Sequence, residues 1–318
     1  MRFGTMVPQG WKLDLTGLAV EDQWPRILDT ARTIEDIGYD SLWVYDHFHT
    51  HPIVAQESVF EAWSLMAALA AVTTRVRIGQ MCTCALYRPP SLLAKQALSV
   101  DAIAGGRLDV GIGAGWSDKE FRAYGYDYPR DGVRLDMLEE AVQVLIEMWT
   151  KDEAYFEGEH YGLDGAITRP RSVQQPYPPL WIAGGGRKRT LKIVAKYGDF
   201  SNFSDNVEEF IELSEILAGH CEDVGRDYKE IGRTAHLMSV VGRNEAEVNE
   251  RLEVAAERRG GTPEEFREEH LVGTVDQVTE VLGQYAEAGC VEMILYFYDM
   301  GAHDSLELVA GEVIPQLR

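Results

Sequence analysis

Residues 75–116 read RVRIGQMCTCALYRPPSLLAKQALSVDAIAGGRLDVGIGAGW, and the fold follows from how this stretch divides. Its first apolar, β-branched run, Val76–Thr83, reads as a strand. Pro89–Pro90 then opens a segment in which Leu92, Leu93, Ala97 and Leu98 recur at helical spacing, and Gly105–Gly106 stops it. A second apolar run, Leu108–Gly113, follows at once. Two strands joined through a helix run parallel, and a parallel sheet needs helices over its faces.

The same alternation extends in both directions. Upstream, Arg2–Pro8 reads as a strand, and the helix after it starts around Pro25, buries Ile27, Leu28, Ala31 and Ile34, and stops at Gly38. A strand over Ser41–Asp46 precedes a helix from about Val59 to Val72. Downstream, Leu138, Ala141, Val142, Leu145 and Trp149 mark one helix face. The segment around 150–178 shows no helical period and contains Pro170, Pro176 and Pro178, so it reads as an inserted surface excursion. The rhythm resumes with a strand at Leu180–Ala183, a helix over Thr190–Tyr197, a short strand near Phe200–Phe203 and a helix over Val207–Leu217. Strand Thr234–Val241 leads to a charged helical excursion around 244–270. A Thr274–Gln277 capping box opens a helix that Gly289 ends, and Val291–Tyr298 is the closing strand. Eight strands alternating with about eight helices predict one α/β domain over residues 1–318, a (β/α)8 TIM barrel with two insertions. A doubly wound open sheet with a cap is the alternative.

Composition narrows the function. The chain has 318 residues, 52 acidic against 30 basic side chains and a net charge of −22, with 45% apolar residues. That is a globular mix, and its surface repels a phosphate backbone, so nucleic acid is excluded as a partner. The opening MRFGTMVPQG lacks a signal-peptide core, and no apolar run approaches the roughly 18 residues of a membrane span. Four scattered cysteines, Cys82, Cys84, Cys221 and Cys290, do not form a disulfide framework. A cytoplasmic protein with no membrane partner is expected.

In a barrel of this kind the site lies on the loops at the C-terminal strand ends. After the second strand comes Asp46-His47-Phe48-His49-Thr50-His51. Three histidines at every second position invite a metal reading, as in metal-dependent barrel hydrolases, but later strand ends supply no further histidine set, and no metal is expected. His47 stands where strand meets loop, after an aspartate that can orient it, and reads as a catalytic or cofactor contact. After the third strand, Met81-Cys82-Thr83-Cys84 lacks the second cysteine pair of a metal site, and backbone contact with a ligand is the functional alternative to plain packing. After the fourth, Gly111-Ile112-Gly113-Ala114-Gly115-Trp116 misses the last glycine and the helix of a dinucleotide fingerprint. Its glycines either admit a flat ligand or pack against a neighbouring loop. After the fifth, Ala183-Gly184-Gly185-Gly186-Arg187-Lys188-Arg189-Thr190 puts a glycine turn and three cations at a helix start. This is either a phosphate site or a solvated helix end, and no Gly-Lys-Ser/Thr run makes it a nucleotide-hydrolysing loop.

Taken together these motifs resemble the luciferase-like monooxygenase superfamily, in its branch that uses the deazaflavin coenzyme F420. The likeness rests on Trp43-Val44-Tyr45-Asp46-His47-Phe48, Arg75–Gly79, Leu93-Ala94-Lys95-Gln96, Gly105-Gly106-Arg107, Gly111–Trp116 and Trp181–Gly186, in this order along nearly the whole chain. The resemblance implies a bacterial luciferase-like barrel holding F420, or alternatively FMN, at its mouth. Asp46 and His47 would meet the ring, and a non-proline cis peptide at Met81–Cys82 would back it. Cys84, Gly113, Gly115 and Ala183 are further candidate cofactor contacts at the same strand ends. The turn Gly184, Gly185 and Gly186, with Arg187 and Lys188 beside it, would take the cofactor's phosphate. In one respect the chain departs from the sugar-phosphate dehydrogenases of this branch: they carry a glutamate after the fourth-strand glycines, where this chain has Trp116.

The activity so implied is hydride transfer between F420 and a small organic substrate, in a homodimeric enzyme. His47 is the candidate acid/base, because an imidazole's reference pKa of about 6.5 lies near working pH. Trp11, His51, Trp116 and Tyr298 are candidate walls for an apolar or aromatic substrate, with ordinary packing the alternative for each. FMN-dependent monooxygenation on the same fold and a non-catalytic flavin-binding relative are the rival readings.

Overall fold

In a computed structural model, which describes residues 1–203, 206–299 and 303–318, eight parallel strands close on themselves. They are β1 (Arg2–Met6), β2 (Ser41–Val44), β3 (Arg77–Gln80), β4 (Leu108–Gly113), β5 (Leu180–Ala183), β6 (Phe200–Asn202), β7 (Gly232–Gly242) and β8 (Cys290–Phe297). Closure is made where the last strand meets the first, with Phe3 opposite Met293, and where β6 meets β7, with Asn202 opposite Thr234. An open sheet would leave two edges, so the doubly wound alternative is excluded and the chain is a (β/α)8 barrel. All six residues of β4 are buried, as expected of a strand covered on both faces.

Several elements differ from their sequence reading for identifiable reasons. Helix α1 (Val20–Asp36) begins five residues before Pro25, which lies inside it. The carbonyl left without its N–H partner is that of Glu21, an exposed residue that water can satisfy. The third apolar run divides into β3 and a two-residue strand, Thr83–Cys84, and between them the Met81–Cys82 peptide is cis. The excursion after α5 (Asp131–Thr150) contains an antiparallel hairpin, Glu153–Glu157 with Gly162–Ile167. Its residues are mostly solvated, so they carry no apolar alternation to read. The charged region after β7 is two helices, α8 (Glu245–Arg259) and α9 (Pro263–Glu269), broken at Gly260 with φ +76°. A short strand, Leu271–Thr274, then extends the sheet beside the C-terminal half of β7. Among the described residues, no helix is long and apolar enough to cross a membrane.

Large side chains fill the floor of the barrel among the described residues, and the main cavity lies at the C-terminal end. Trp43 and Trp181 meet edge to face at 4.7 Å. Below them, half-buried Arg77 holds buried Asp109 at 2.6 Å, and buried Glu292 accepts from the Ser41 hydroxyl at 2.5 Å and pairs with the more exposed Arg2 at 2.8 Å.

Candidate active site

A cavity of about 540 Å³ opens at the C-terminal mouth. Among the residues singled out from sequence, Trp11, Asp46, His47, Met81, Cys82, Cys84, Gly113, Gly115, Trp116, Ala183, Gly184 and Gly185 line it. His51 lines a smaller adjoining chamber of about 160 Å³ that shares Trp11, His47 and Trp116 as its wall. Gly186, Arg187 and Lys188 continue the glycine turn beyond the lining. Tyr298 lines neither space: its hydroxyl donates to the Met238 sulfur at 3.3 Å, and Met238 is the residue that faces the cavity.

Asp46 does not orient His47. Its two oxygens accept from Arg88 at 2.6 and 2.9 Å and from the Cys84 N–H at 2.9 Å. The orienting carboxylate is Glu120, which the short helix α4 (Asp118–Ala123) brings over the loop after β2. His47 Nδ1 lies 2.6 Å from Glu120 Oε2, while Oε1 accepts the N–H groups of Phe48 and His49 at 2.7 and 2.9 Å. The Tyr87 hydroxyl adds a fourth donor at 3.2 Å. Burial pushes the Glu120 carboxyl up, but the His47 hydrogen bond and charge and the two backbone donors outweigh it and hold it down at about 2. Glu120 is therefore an acceptor only, so His47 carries its proton on Nδ1 and leaves Nε2 to exchange one. No described residue hydrogen-bonds that second nitrogen.

The His47 ring lies flat on Trp11, with centroids 4.3 Å apart and planes 2° from parallel. Trp116 meets it edge-on at 5.4 Å. Phe48 is wedged between Tyr87 and Tyr124 at 4.7 and 4.5 Å, which anchors the loop that presents His47. The three alternating histidines all line the adjoining chamber but turn to different partners: His47 and His51 stack on Trp11, at 4.3 and 5.5 Å, and His49 faces Tyr124. Among the described residues no group of three metal-ligating side chains comes together.

Sequence reasoning missed Glu120, Tyr45, Tyr87, His236, Asn202, Thr190, Phe203 and Met238. Glu120 is one of 52 acids, and only the family's glutamate after the fourth-strand glycines points to it. The position expected for that glutamate is Trp116, and Glu120 lies four residues later, on α4. His236, on β7, has its Nε2 3.0 Å from the Tyr45 hydroxyl. Burial, and then the charge of Lys12, push its pKa down to about 3.

The glycine strand ends are bare by necessity. A Cβ on Gly113 would come within 2.6 Å of Cys82 Sγ. Gly184 has φ +120°, and its N–H donates to Asn202 O at 2.9 Å. Helix α6 (Thr190–Tyr197) begins just beyond. The three cations of this turn are not a single patch. Arg187 pairs with Glu212 and Arg189 with Asp136, while Lys188 has no ion pair among the described residues. Burial, with the Asp46 charge, pushes the Cys82 thiol up to about 12 and raises Cys84 as well, so neither is a thiolate near neutral pH.

The chain is similar in sequence and fold to known proteins. The chain is 27% identical over 322 residues to an F420-dependent glucose-6-phosphate dehydrogenase of Kineococcus radiotolerans, covering 92% of this chain and 93% of that one. It is 33% identical over 144 residues to the pyrimidine monooxygenase RutA of Allorhizobium ampelinum, covering 44% of this chain but only 38% of the relative. It thus spans under two thirds of some of the curated relatives it matches. A solved F420-dependent secondary alcohol dehydrogenase, in complex with an F420-acetone adduct, has the same fold at a TM-score of 0.81, with 22% identity over 100% of this chain and 99% of that one. Residues 1–271 match the sequence profile of the luciferase-like monooxygenases, and the chain belongs to that family.

Proposed function

We propose that the protein is an oxidoreductase that uses coenzyme F420 to transfer a hydride to or from a small organic substrate at the barrel mouth. The observation that carries this reading is the His47–Glu120 couple on the wall of a cavity that runs from Gly113 to the Gly184–Gly185 turn. Gly113, packed against Cys82 Sγ, leaves a wall without a side chain along which a flat ring system could lie, and a phosphate fits the bare turn ahead of α6. Asp46, Met81, Cys82, Cys84, Gly115 and Ala183 would complete the cradle, with Gly184, Gly185 and Gly186 at the phosphate and Lys188 near it. When bound, a deazaflavin supplies two-electron hydride chemistry and reacts poorly with oxygen.

The residues of the chain manage the accompanying proton. Glu120 keeps the Nδ1 proton in place, and Nε2 of His47 accepts or donates the one that the substrate loses or gains. Trp11 holds the imidazole plane, and the Phe48–Tyr87–Tyr124 contacts hold its loop. Asp46, closed by Arg88, sets the backbone of Cys84 and does not exchange the proton.

The second reading is FMN-dependent monooxygenation, favoured by the monooxygenase among the matched relatives. Equilibrium titration of the purified protein with each cofactor separates the two. F420 is expected to bind at micromolar affinity or better and FMN about tenfold or more weakly than that. Tighter binding of FMN overturns the assignment.

A further inference from the structure

Among the described residues, the part of the site that would meet a substrate offers little unpaired positive charge. Among the described residues no lysine or arginine lines the main cavity, and the five residues outside the described set are Ser204, Asp205, Met300, Gly301 and Ala302. Its one carboxylate among the described residues, Asp46, is closed by Arg88. His236 is neutral near physiological pH and engaged by Tyr45. In the adjoining chamber, burial and the Lys12 charge push His51 down to about 4. The single cationic side chain lining that chamber among the described residues is exposed Lys119, which follows Asp118 and precedes Glu120 in the chain. The Lys12 amine, whose pKa burial pushes down to about 7, sits 4.0 Å over the Trp11 ring and lines neither space.

The walls offer flat apolar surface instead. Trp116 is 55% exposed at the rim and edge-on to both His47 and His51, at 5.4 and 5.1 Å. An indole this exposed beside a cavity has a face open to an occupant. Trp11, Phe203 and Met238 continue the apolar lining inward.

We infer that the substrate is an uncharged, flat, apolar molecule with a hydrogen-bonding oxygen, such as a quinone, an enone or an aromatic alcohol, and that phosphorylated sugars are excluded. This rests on the preceding reading, in which the glycine turn is taken by the cofactor's own phosphate. A second phosphate would shed its water and find no counter-charge. An aromatic ring would gain stacking and buried area, and its oxygen would reach an imidazole already set to exchange a proton.

A matched pair of probes, 2-naphthol and 2-naphthyl phosphate, isolates the charge. Titrated by calorimetry into protein saturated with F420, the alcohol is expected to bind about tenfold or more tightly than the ester. Equal or tighter binding of the ester overturns the inference. Trp116→Ala is expected to weaken 2-naphthol about fivefold or more, while Tyr155→Ala, which removes an exposed ring on the hairpin, leaves it unchanged. No loss at Trp116, or equal losses at both, also overturns it. F420 uptake is measured first in the same instrument. Its absence overturns the preceding reading, whereas normal F420 uptake with equal or tighter binding of the ester overturns the present inference alone.

Discussion

His47 Nδ1 and Glu120 Oε2 lie 2.6 Å apart, so the loop after β2 and the short helix after β4 are tied through one imidazole–carboxylate hydrogen bond. The bond fixes the tautomer of the ring, and the two backbone N–H groups on the other carboxylate oxygen fix the loop. Orientation and loop order are thus joined in a single side chain.

Glu120→Gln separates them. The amide still accepts from Phe48 and His49 but no longer holds the Nδ1 proton by charge. Turnover is expected to fall on the order of 10²–10⁴-fold, as when an imidazole loses the carboxylate that sets its tautomer. Cofactor affinity should change by less than about threefold. Glu120→Ala additionally strands two backbone donors and should cost about 2–3 kcal/mol in urea denaturation. The depressed carboxyl contributes its stability fully above its ordinary value of 4.5 and loses it as the pH falls toward about 2, so no activity change above pH 5 arises from it. Wild-type turnover in Glu120→Gln would remove the tautomer role.

For His47, two variants divide chemistry from contact. His47→Ala should lower turnover roughly 10²–10⁴-fold, the usual worth of a general acid/base, with a much smaller effect on cofactor binding. His47→Asn keeps a hydrogen-bond donor but cannot exchange a proton near neutral pH. If it turns over at near wild-type rate, His47 only positions the ring.

At the glycine turn, Gly185→Asp places a carboxylate where the phosphate would sit. One like charge beside a phosphate costs on the order of 1–4 kcal/mol, so F420 affinity should fall at least about fivefold with the thermal transition unchanged. Unaltered affinity in a folded variant moves the phosphate elsewhere.

The barrel floor predicts a pH dependence of the opposite sign. Burial pushes Glu292 up to about 7 from an ordinary 4.5, with Arg2 opposing. The folded protein therefore keeps a proton there that the unfolded chain gives up. That contribution is full below the unfolded value and is lost as the pH rises through about 7. Relative to Glu292→Gln, which cannot titrate, the wild type should lose on the order of 2 kcal/mol between pH 5 and pH 8. Denaturant titrations at the two pH values measure it, and a constant difference would refute it.

The barrel was legible in the sequence because buried strands are short and β-branched, and covering helices show one apolar face. Helix α6 is found at the expected Thr190–Tyr197, and Gln277 accepts the Thr274 N–H at 2.8 Å as the capping box requires. What escaped was solvated or long-range. The 153–167 hairpin buries almost nothing, and the Leu271–Thr274 strand is too short for a period. At the site, residues on strand ends could be picked out by position alone. Glu120 could not, since its partner lies 73 residues away, and neither could His236, which reaches Tyr45 across the barrel.

The ion pairs at the glycine turn have a consequence for ionic strength. Two of the three adjacent cations already face acids, Arg187 on Glu212 and Arg189 on Asp136, so backbone N–H groups and the start of α6 are left as the main grip on an anion. Salt screens exposed charges over about 10 Å at 0.1 M but does little to short hydrogen bonds between fixed dipoles and a ligand oxygen. An anion held here should resist added salt far better than one held by three free side chains.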